Sequence, residues 1–194
     1  MIPIIVVEKG DIINIERDLK IRILFPTNEL IEENVLNNNS VVAKLEYKKF
    51  SMLFTGDIEK IAEEKLLKNI SNNLLKTDIL KVAHHGSKTS SIQEFVKKVQ
   101  PKIALIGVGK NNKFKHPDSE VLNRLQQLGT IIYRTDVNGE ISIKVDRKGR
   151  IDIKKFLDWL FNIISLFCIE ITFRVNNKIK VNYILRKDVI WYDE

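Results

Sequence analysis

Cysteine is almost absent from this sequence of 194 residues, in which Cys168 is the only one. A single cysteine excludes an internal disulfide and a zinc site built from several thiolates. Because Cys168 lies in an apolar run, we expect a buried and inert thiol. The chain also lacks a Walker loop and a G-x-G-x-x-G pattern, so nothing in it predicts a nucleotide cofactor. No G-x-S-x-G elbow surrounds Ser87, which makes it a weak candidate for a nucleophile and a better one for a helix cap.

Long apolar runs are also missing. The most apolar stretch, FLDWLFNIISLFCI (Phe156 to Ile169), contains Asp158 and Asn162 and is shorter than the ~20 apolar residues that cross a bilayer. The N-terminal sequence MIPIIVVEKGD has neither the basic region nor the long apolar region of a signal peptide. We therefore expect no membrane span, and a cytoplasmic location for the chain as a stand-alone product.

Acidic residues are fewer than basic ones, 25 against 32, and the formal net charge is +7. A basic surface favours polyanions such as nucleic acid or acidic lipid. The alternative is that the lysines only keep helix faces soluble, because no run of Lys and Arg exceeds two residues. Composition leaves both interpretations open.

Short strands and helices alternate along the chain, which predicts an α/β fold. The apolar spacing after Asp57 and after Ser91 predicts two helices, with Ser91 and Glu94 as a capping box. Pro117 is expected at the first position of a third helix, which Gly129 ends. The predicted strands before these helices are LKIRILF, SVVAKLEY, FSMLFTG, DILKVA and KIALIGVG.

Two dipeptides predict β-hairpins. Asn138-Gly139, between TIIYRTD and EISIKVD, is the strongest such signal in the chain. Asn176-Asn177 is the second, and it follows an apolar helix predicted around Phe156 to Ile169. We expect residues 1–153 to form one domain and residues 154–194 to be an appended helix and hairpin.

Histidine is scarce too, since the chain has three, and all of them follow predicted strands. Asp57 comes after LFTG, His84 and His85 come after LKVA, and His116 ends the loop after IALIGVG. Because polar residues past the carboxyl ends of strands meet in one crevice of an open α/β sheet, we expect these side chains to converge. Asp and His are ligand types for zinc and also suit manganese.

Each of these residues also has a simpler interpretation. Asp57 and His116 could each cap the helix that follows. Neighbours in an extended chain point opposite ways, so His84 and His85 serve one site only if the chain turns there. Gly86 could provide that turn.

Four stretches together resemble one family: N-x-S-V-V-x-x-L-x-Y (38–47), LFTGDIE (53–59), DILKVAHHGSKTS (78–90) and HP-x-x-x-x-L-x-R-L (116–125). They are similar to the metallo-β-lactamase-like domain at the C-terminal end of ComEC, the DNA-uptake channel protein of competent bacteria. The similarity runs from about Val7 to Gly139. The resemblance implies part of an αββα sandwich, a divalent metal cofactor (manganese or zinc), and metal-dependent cleavage of DNA phosphodiesters.

The resemblance also implies roles for individual residues. Asp57 would bridge two metal ions. One of His84 and His85 would be a metal ligand and the other would contact phosphate, and the resemblance does not decide between them. All three form the expected catalytic group. The residues expected to bind substrate are Ser87, Asn111 and His116.

One motif of the superfamily is missing. The H-x-(H/D)-x-D-H sequence, which belongs before the strand that begins at Leu19, occurs nowhere in the chain. We therefore expect the chain to start midway through the domain, with the second half of the sandwich and at most half of the ligands. Half a sandwich would leave one face of its main sheet open. The apolar helix around Phe156 to Ile169, a second copy of the chain or a separately encoded first half would then cover that face.

Three hypotheses follow for function. The first is a nuclease fragment that acts on DNA, with single-stranded DNA as the expected partner, and that needs its missing half. The second is a basic, non-catalytic remnant that binds DNA through lysine-rich loops such as KNNKFKH. The third is another hydrolase of the same fold with a different substrate. In the family, this domain is part of a bacterial inner-membrane protein.

Overall fold

The computed structural model describes residues 6–156, 168–175 and 178–186, which form a layer of helices and two sheets. The α/β class is confirmed, and these residues make three of the four layers of an αββα sandwich. The strands of the first sheet are β1 (Ile12–Glu16), β2 (Leu19–Phe25), β3 (Val42–Tyr47), β4 (Phe50–Phe54), β5 (Ile79–Lys81), β6 (Ile103–Ile106) and β7 (Ile131–Arg134). Those of the second are β8 (Glu140–Val145), β9 (Ile151–Phe156), β10 (Cys168–Val175) and β11 (Lys178–Arg186).

The helices are short, and all but the last connect strands of the first sheet. Its strands lie side by side in chain order, antiparallel from β1 to β4 and parallel from β4 to β7. The carboxyl ends of β4, β5 and β6 therefore meet at the same edge, as the sequence predicts. The helices are α1 (Val35–Asn38), α2 (Lys60–Asn69), α3 (Asn72–Leu75), α4 (Gln93–Val99), α5 (Ser119–Gln127) and α6 (Thr135–Asn138).

Both faces of the first sheet are covered by apolar contacts. On one face, sheet residues such as Leu53 and Leu80 pack with the apolar stripes of the helices, for example Leu66 of α2. On the other face, Met52 packs in one cluster with Ile143 of the second sheet. The expectation of an open sheet face is therefore wrong, because β8 and β9 of the same chain cover it.

The hairpin predicted at Asn138-Gly139 does not form. Residues Thr135–Asn138 make the short helix α6, which carries the chain from β7 in the first sheet to β8 in the second. Asn138 accepts a hydrogen bond from the Arg134 backbone N–H at 2.9 Å, and the Thr135 hydroxyl donates to the Val108 carbonyl at 2.8 Å. Long-range packing therefore overrides the local turn signal.

The C-terminal hairpin is confirmed where the structure describes it. β10 and β11 pair antiparallel on either side of residues 176–177, and β10 pairs parallel with β8. Ile153, the predicted boundary, lies within β9, and the division into two domains stays a prediction. Most of the predicted apolar helix, residues 157–167, lies outside the described residues, and Cys168 and Ile169 begin β10. Within the described part of the chain, no helix has the length and hydrophobicity needed to cross a membrane.

The starts of two helices differ from the prediction. The capping box of Ser91 and Glu94 is not formed, because the buried carboxylate of Glu63 accepts the backbone N–H groups of Ser91 and Ile92 at 2.6 and 2.8 Å. The third helix begins two residues after Pro117. Its N-cap is Asp118, whose side chain accepts a hydrogen bond from a backbone N–H of the first turn.

Candidate metal centre

Three chain segments meet at the carboxyl edge of the first sheet. Asp57 follows β4, a 3₁₀ turn of residues Ala83–Gly86 follows β5, and Gly107 follows β6. The predicted convergence is therefore present. Asp57 lies three residues before α2, so its interpretation as the N-cap of that helix is wrong.

The two adjacent histidines point to different partners because the backbone between β5 and α4 is left-handed. His84 has φ 46°, His85 has φ 53° and Gly86 has φ 80°. A Cβ at Gly86 would lie 2.6 Å from the Pro117 Cβ, so the close approach of these segments requires glycine. The turn that the sequence predicts at Gly86 thus begins two residues earlier, at the histidines themselves.

His85 is held so that it faces Asp57. Its Nδ1 lies 2.6 Å from the carbonyl oxygen of Gly107, which can only accept, so Nδ1 carries the proton. Its Nε2 lies 3.8 Å from Oδ2 of Asp57. Metal-binding histidines are commonly oriented by such a bond from the second ring nitrogen. Of the two histidines, His85 therefore has the geometry of a ligand.

Asp57 lies beside a lysine as well as beside His85. Its Oδ1 is 3.6 Å from Nζ of Lys81, which also donates to the Gly56 carbonyl at 2.8 Å. Burial raises the pKa of Asp57, but the nearby Lys81, and then the two histidines, lower it by more, so the pKa lies below its ordinary value. The carboxylate is therefore ionised and available to a cation at neutral pH.

His84 lies on the other side of the turn, next to Glu59. Its Nδ1 is 3.4 Å from Oε1 of Glu59 and, among the residues that the structure describes, has no hydrogen-bond partner, although the atom is buried. Glu59 is fixed in turn by the Asn34 amide at 2.9 Å and the Thr89 hydroxyl at 2.8 Å. The ring of His84 also approaches that of His116, with centroids 5.9 Å apart.

Glu59 is the residue of this centre to which the sequence assigns no role. It belongs to the quoted LFTGDIE stretch, two positions after Asp57. An acidic residue two positions from a candidate ligand is the sequence signal that could have identified Glu59 as part of the centre. The structure shows why spacing alone does not, since Glu59 and His84 meet only through the left-handed turn.

The residues predicted to bind substrate differ in exposure and in their contacts. Ser87 is buried, and its hydroxyl lies 3.0 Å from that of Thr89 within the turn. Asn111 is exposed on the loop after β6. His116 ends that loop and contacts His84 through its ring. The loop therefore borders the centre.

The donor types suit a divalent metal, but their number does not suit a complete site. Asp57 and His85 are a carboxylate and an imidazole, which zinc and manganese accept. No group of three or more His, Cys, Asp or Glu residues placed to hold a metal ion occurs among the residues that the structure describes. The expected triad of Asp57, His84 and His85 thus provides two donors facing each other and a third that faces Glu59.

Comparison with known proteins shows competence proteins among the relatives of this chain. It is 41% identical over 138 residues to ComE operon protein 3 of Bacillus subtilis (strain 168), and this alignment covers 71% of the chain and 17% of the relative. It is 33% identical over 152 residues to Recombination protein 2 of Haemophilus influenzae, covering 76% and 18%. It is 34% identical over 124 residues to Competence protein ComA of Neisseria gonorrhoeae, covering 62% and 18%. The chain spans less than a fifth of the length of these relatives.

No family model matches the chain. Among solved structures, a putative metal-dependent hydrolase from Parabacteroides distasonis aligns with TM-score 0.45 and 17% identity, over 68% of this chain and 57% of that one. A mutant of the β-hydroxylase CmlA aligns with TM-score 0.44 and 11% identity, over 67% and 32%.

Proposed function

Because the chain is homologous to one segment of bacterial competence proteins, we propose that it is part of a ComEC-type metallo-β-lactamase-like domain and supplies one half of a metal-dependent DNA hydrolase site. Asp57 and His85 are the proposed metal ligands. In such a site, a bound divalent ion activates water and neutralises the charge that develops on phosphate. Since the described residues provide only two facing donors, we assign no step of hydrolysis to this chain by itself.

The observation that carries the proposal is the arrangement around His85. The Gly107 carbonyl orients the ring, and Nε2 faces the Asp57 carboxylate at 3.8 Å. Affinity of a metal site depends on ligand number and preorganisation. We therefore expect weak metal binding by this chain, which strengthens when a separately encoded half of the domain adds further ligands.

A second candidate function is DNA binding without catalysis, and Lys81 favours it. Its ammonium group lies 3.6 Å from Asp57 Oδ1, beside the carboxylate that a metal ion would use. An ammonium in that place neutralises the aspartate without any metal. In that case the net charge of +7 would act on the DNA backbone directly.

Cleavage and binding assays separate the two candidates. Single-stranded DNA is incubated with the full chain and Mn²⁺, with and without Asp57→Ala and His85→Ala. Under the first proposal the chain binds Mn²⁺, and both substitutions abolish that binding together with any metal-dependent cleavage. Under the second there is neither Mn²⁺ binding at Asp57 nor cleavage, and both variants retain DNA binding that weakens as salt rises. Cleavage that survives both substitutions would refute the metal ligands proposed here.

A further inference from the structure

The loop that joins β6 to α5, residues 107–118, has a fixed shape. Asn112 donates from its amide to the carbonyls of Gly109 and His116 at 3.0 and 2.8 Å, and its Oδ1 accepts the His116 backbone N–H at 2.9 Å. These three bonds join both ends of the segment 109–116 through one side chain. The residues at the tip of the loop are therefore presented in one arrangement rather than in many.

Phe114 lies at this tip and is 56% exposed, whereas other phenylalanines, such as Phe50 and Phe95, are buried in the core. Its ring stacks on that of His116, with centroids 5.8 Å apart and an angle of 17° between the planes. The ammonium group of Lys113 lies 5.3 Å from the ring centroid. The structure thus holds a flat aromatic surface in place and leaves much of it in contact with solvent.

The loop is also basic along its whole length. Between residues 107 and 117 there is no Asp or Glu, and the basic residues are Lys110, Lys113 and Lys115. The rings continue inward from Phe114 to His116 and from His116 to His84, where the centroids are 5.9 Å apart. The exposed aromatic surface is therefore connected to the candidate metal centre by neighbouring rings.

We propose that Phe114 stacks on an unpaired base of a single nucleic-acid strand, while Lys113 and Lys115 contact the phosphates on either side. An aromatic ring between basic residues is the arrangement with which proteins bind single strands, because every base has a π-face. A base that stacks on Phe114 takes the place of the Lys113 ammonium, which then pairs with phosphate. The inference rests on the proposed function, since it places the strand beside His84.

An anionic membrane surface is the other ligand that lysines and an exposed phenylalanine could meet. Membrane association of a surface segment depends on a large apolar area. Phe114 is the single apolar side chain among residues 109–116, where its neighbours are Lys, Asn, Gly and His. A base, which needs one ring, fits this loop better than a bilayer does.

The test measures binding of a fluorescent oligothymidylate of about 12 nucleotides, a length within the range that such sites cover, to the full chain in EDTA. The variants are Phe114→Ala, Phe114→Trp and the matched control Phe156→Ala, whose ring is 48% exposed on the second sheet. An abasic oligomer of the same length distinguishes stacking from charge. Vesicles of phosphatidylcholine and phosphatidylglycerol test the membrane alternative.

We expect Phe114→Ala to weaken oligothymidylate binding about tenfold, and Phe114→Trp and Phe156→Ala to bind like wild type. The abasic oligomer should bind weakly and equally to all of them. Equal binding of oligothymidylate by Phe114→Ala and wild type overturns the proposal, and so does a loss that appears equally with the abasic oligomer or with vesicles. Because EDTA removes divalent ions, this result does not depend on the metal ligands. The Mn²⁺-dependent assays of Asp57→Ala and His85→Ala described above test the proposed function separately.

Discussion

The Nε2 atom of His85 lies 3.8 Å from Oδ2 of Asp57, although the two residues follow different strands. The carbonyl of Gly107, after a third strand, holds the opposite side of the imidazole ring at 2.6 Å. Three adjacent strand ends thus fix one pair of donor groups. His84, next to His85 in the chain, takes part in a different contact, with Glu59.

The two histidines should therefore differ in metal binding. We expect His85→Ala to abolish detectable Mn²⁺ binding, because it removes one of two facing donors. His84→Ala should keep binding within about threefold of wild type, since Nδ1 of His84 faces Glu59 and not Asp57. Isothermal titration of both variants measures the difference. Equal losses in the two variants would show that the assignment of His85 alone is wrong.

Removal of the Lys81 ammonium should strengthen metal binding. The Lys81→Met variant retains an unbranched side chain of similar length, and it leaves Asp57 without the cation at 3.6 Å. At this distance we expect about a tenfold gain in affinity for a divalent ion. The control is Lys102→Met, since Lys102 pairs with Asp78 at 2.8 Å instead. Unchanged affinity in Lys81→Met would mean that the lysine does not compete with a metal.

Adding a single methyl group at Gly86, in the left-handed turn that contains both histidines, should lower the stability of the fold. Gly86→Ala places a Cβ 2.6 Å from the Pro117 Cβ at φ 80°, whereas a Cβ at Gly129, at φ 72°, meets no atom of the described residues within 4 Å. We expect Gly129→Ala to cost about 1 kcal/mol from backbone strain alone and Gly86→Ala to cost about 3 kcal/mol or more. Urea denaturation gives both values. Similar costs at the two positions would contradict the close contact with Pro117.

Glu63 should make the stability of the fold depend on pH. Burial raises the pKa of Glu63 from 4.5 to about 7, against the lowering effects of the Ile92 and Ser91 N–H groups and of Arg124. The folded state therefore binds one proton more than the unfolded state between about pH 4.5 and pH 7. In this window stability falls as pH rises, by roughly 3 kcal/mol in total.

The measurement is urea denaturation at pH 5 and pH 8 of wild type, Glu63→Gln and Glu64→Gln. Glu63→Gln has no titrating group at position 63, and it should lose most of the decrease in unfolding free energy between the two pH values. Glu64, whose side chain is 45% exposed on the same helix, provides the control, and its variant should behave like wild type. A pH dependence that is the same in all three proteins would rule out Glu63 as its source.

The sequence predicts the parts of this molecule that depend on local pattern. The strand Leu19–Phe25 and the pair β3 and β4 follow from apolar and β-branched runs, and the position of Asp57 and the histidines follows from strand order. Contacts between distant segments decide the rest. Glu63 replaces the predicted capping box, and packing against Val108 through Thr135 replaces the hairpin at Asn138-Gly139.

The candidate site shows the same division. Residue types and spacing are enough to propose Asp57 and one histidine as ligands. The choice of His85 requires the left-handed turn and the Gly107 carbonyl, neither of which leaves a local signal. The contact between Glu59 and His84 also depends on that turn.

The most direct test of this account is a calorimetric titration of the full chain with Mn²⁺ and with Zn²⁺, repeated on Asp57→Ala. The control is Asp152→Ala, an exposed position on β9 of the second sheet. The account predicts saturable binding that Asp57→Ala removes and Asp152→Ala preserves. Binding that ignores the loss of Asp57, or no binding by the wild-type chain, would contradict a metal centre at the carboxyl edge of this sheet.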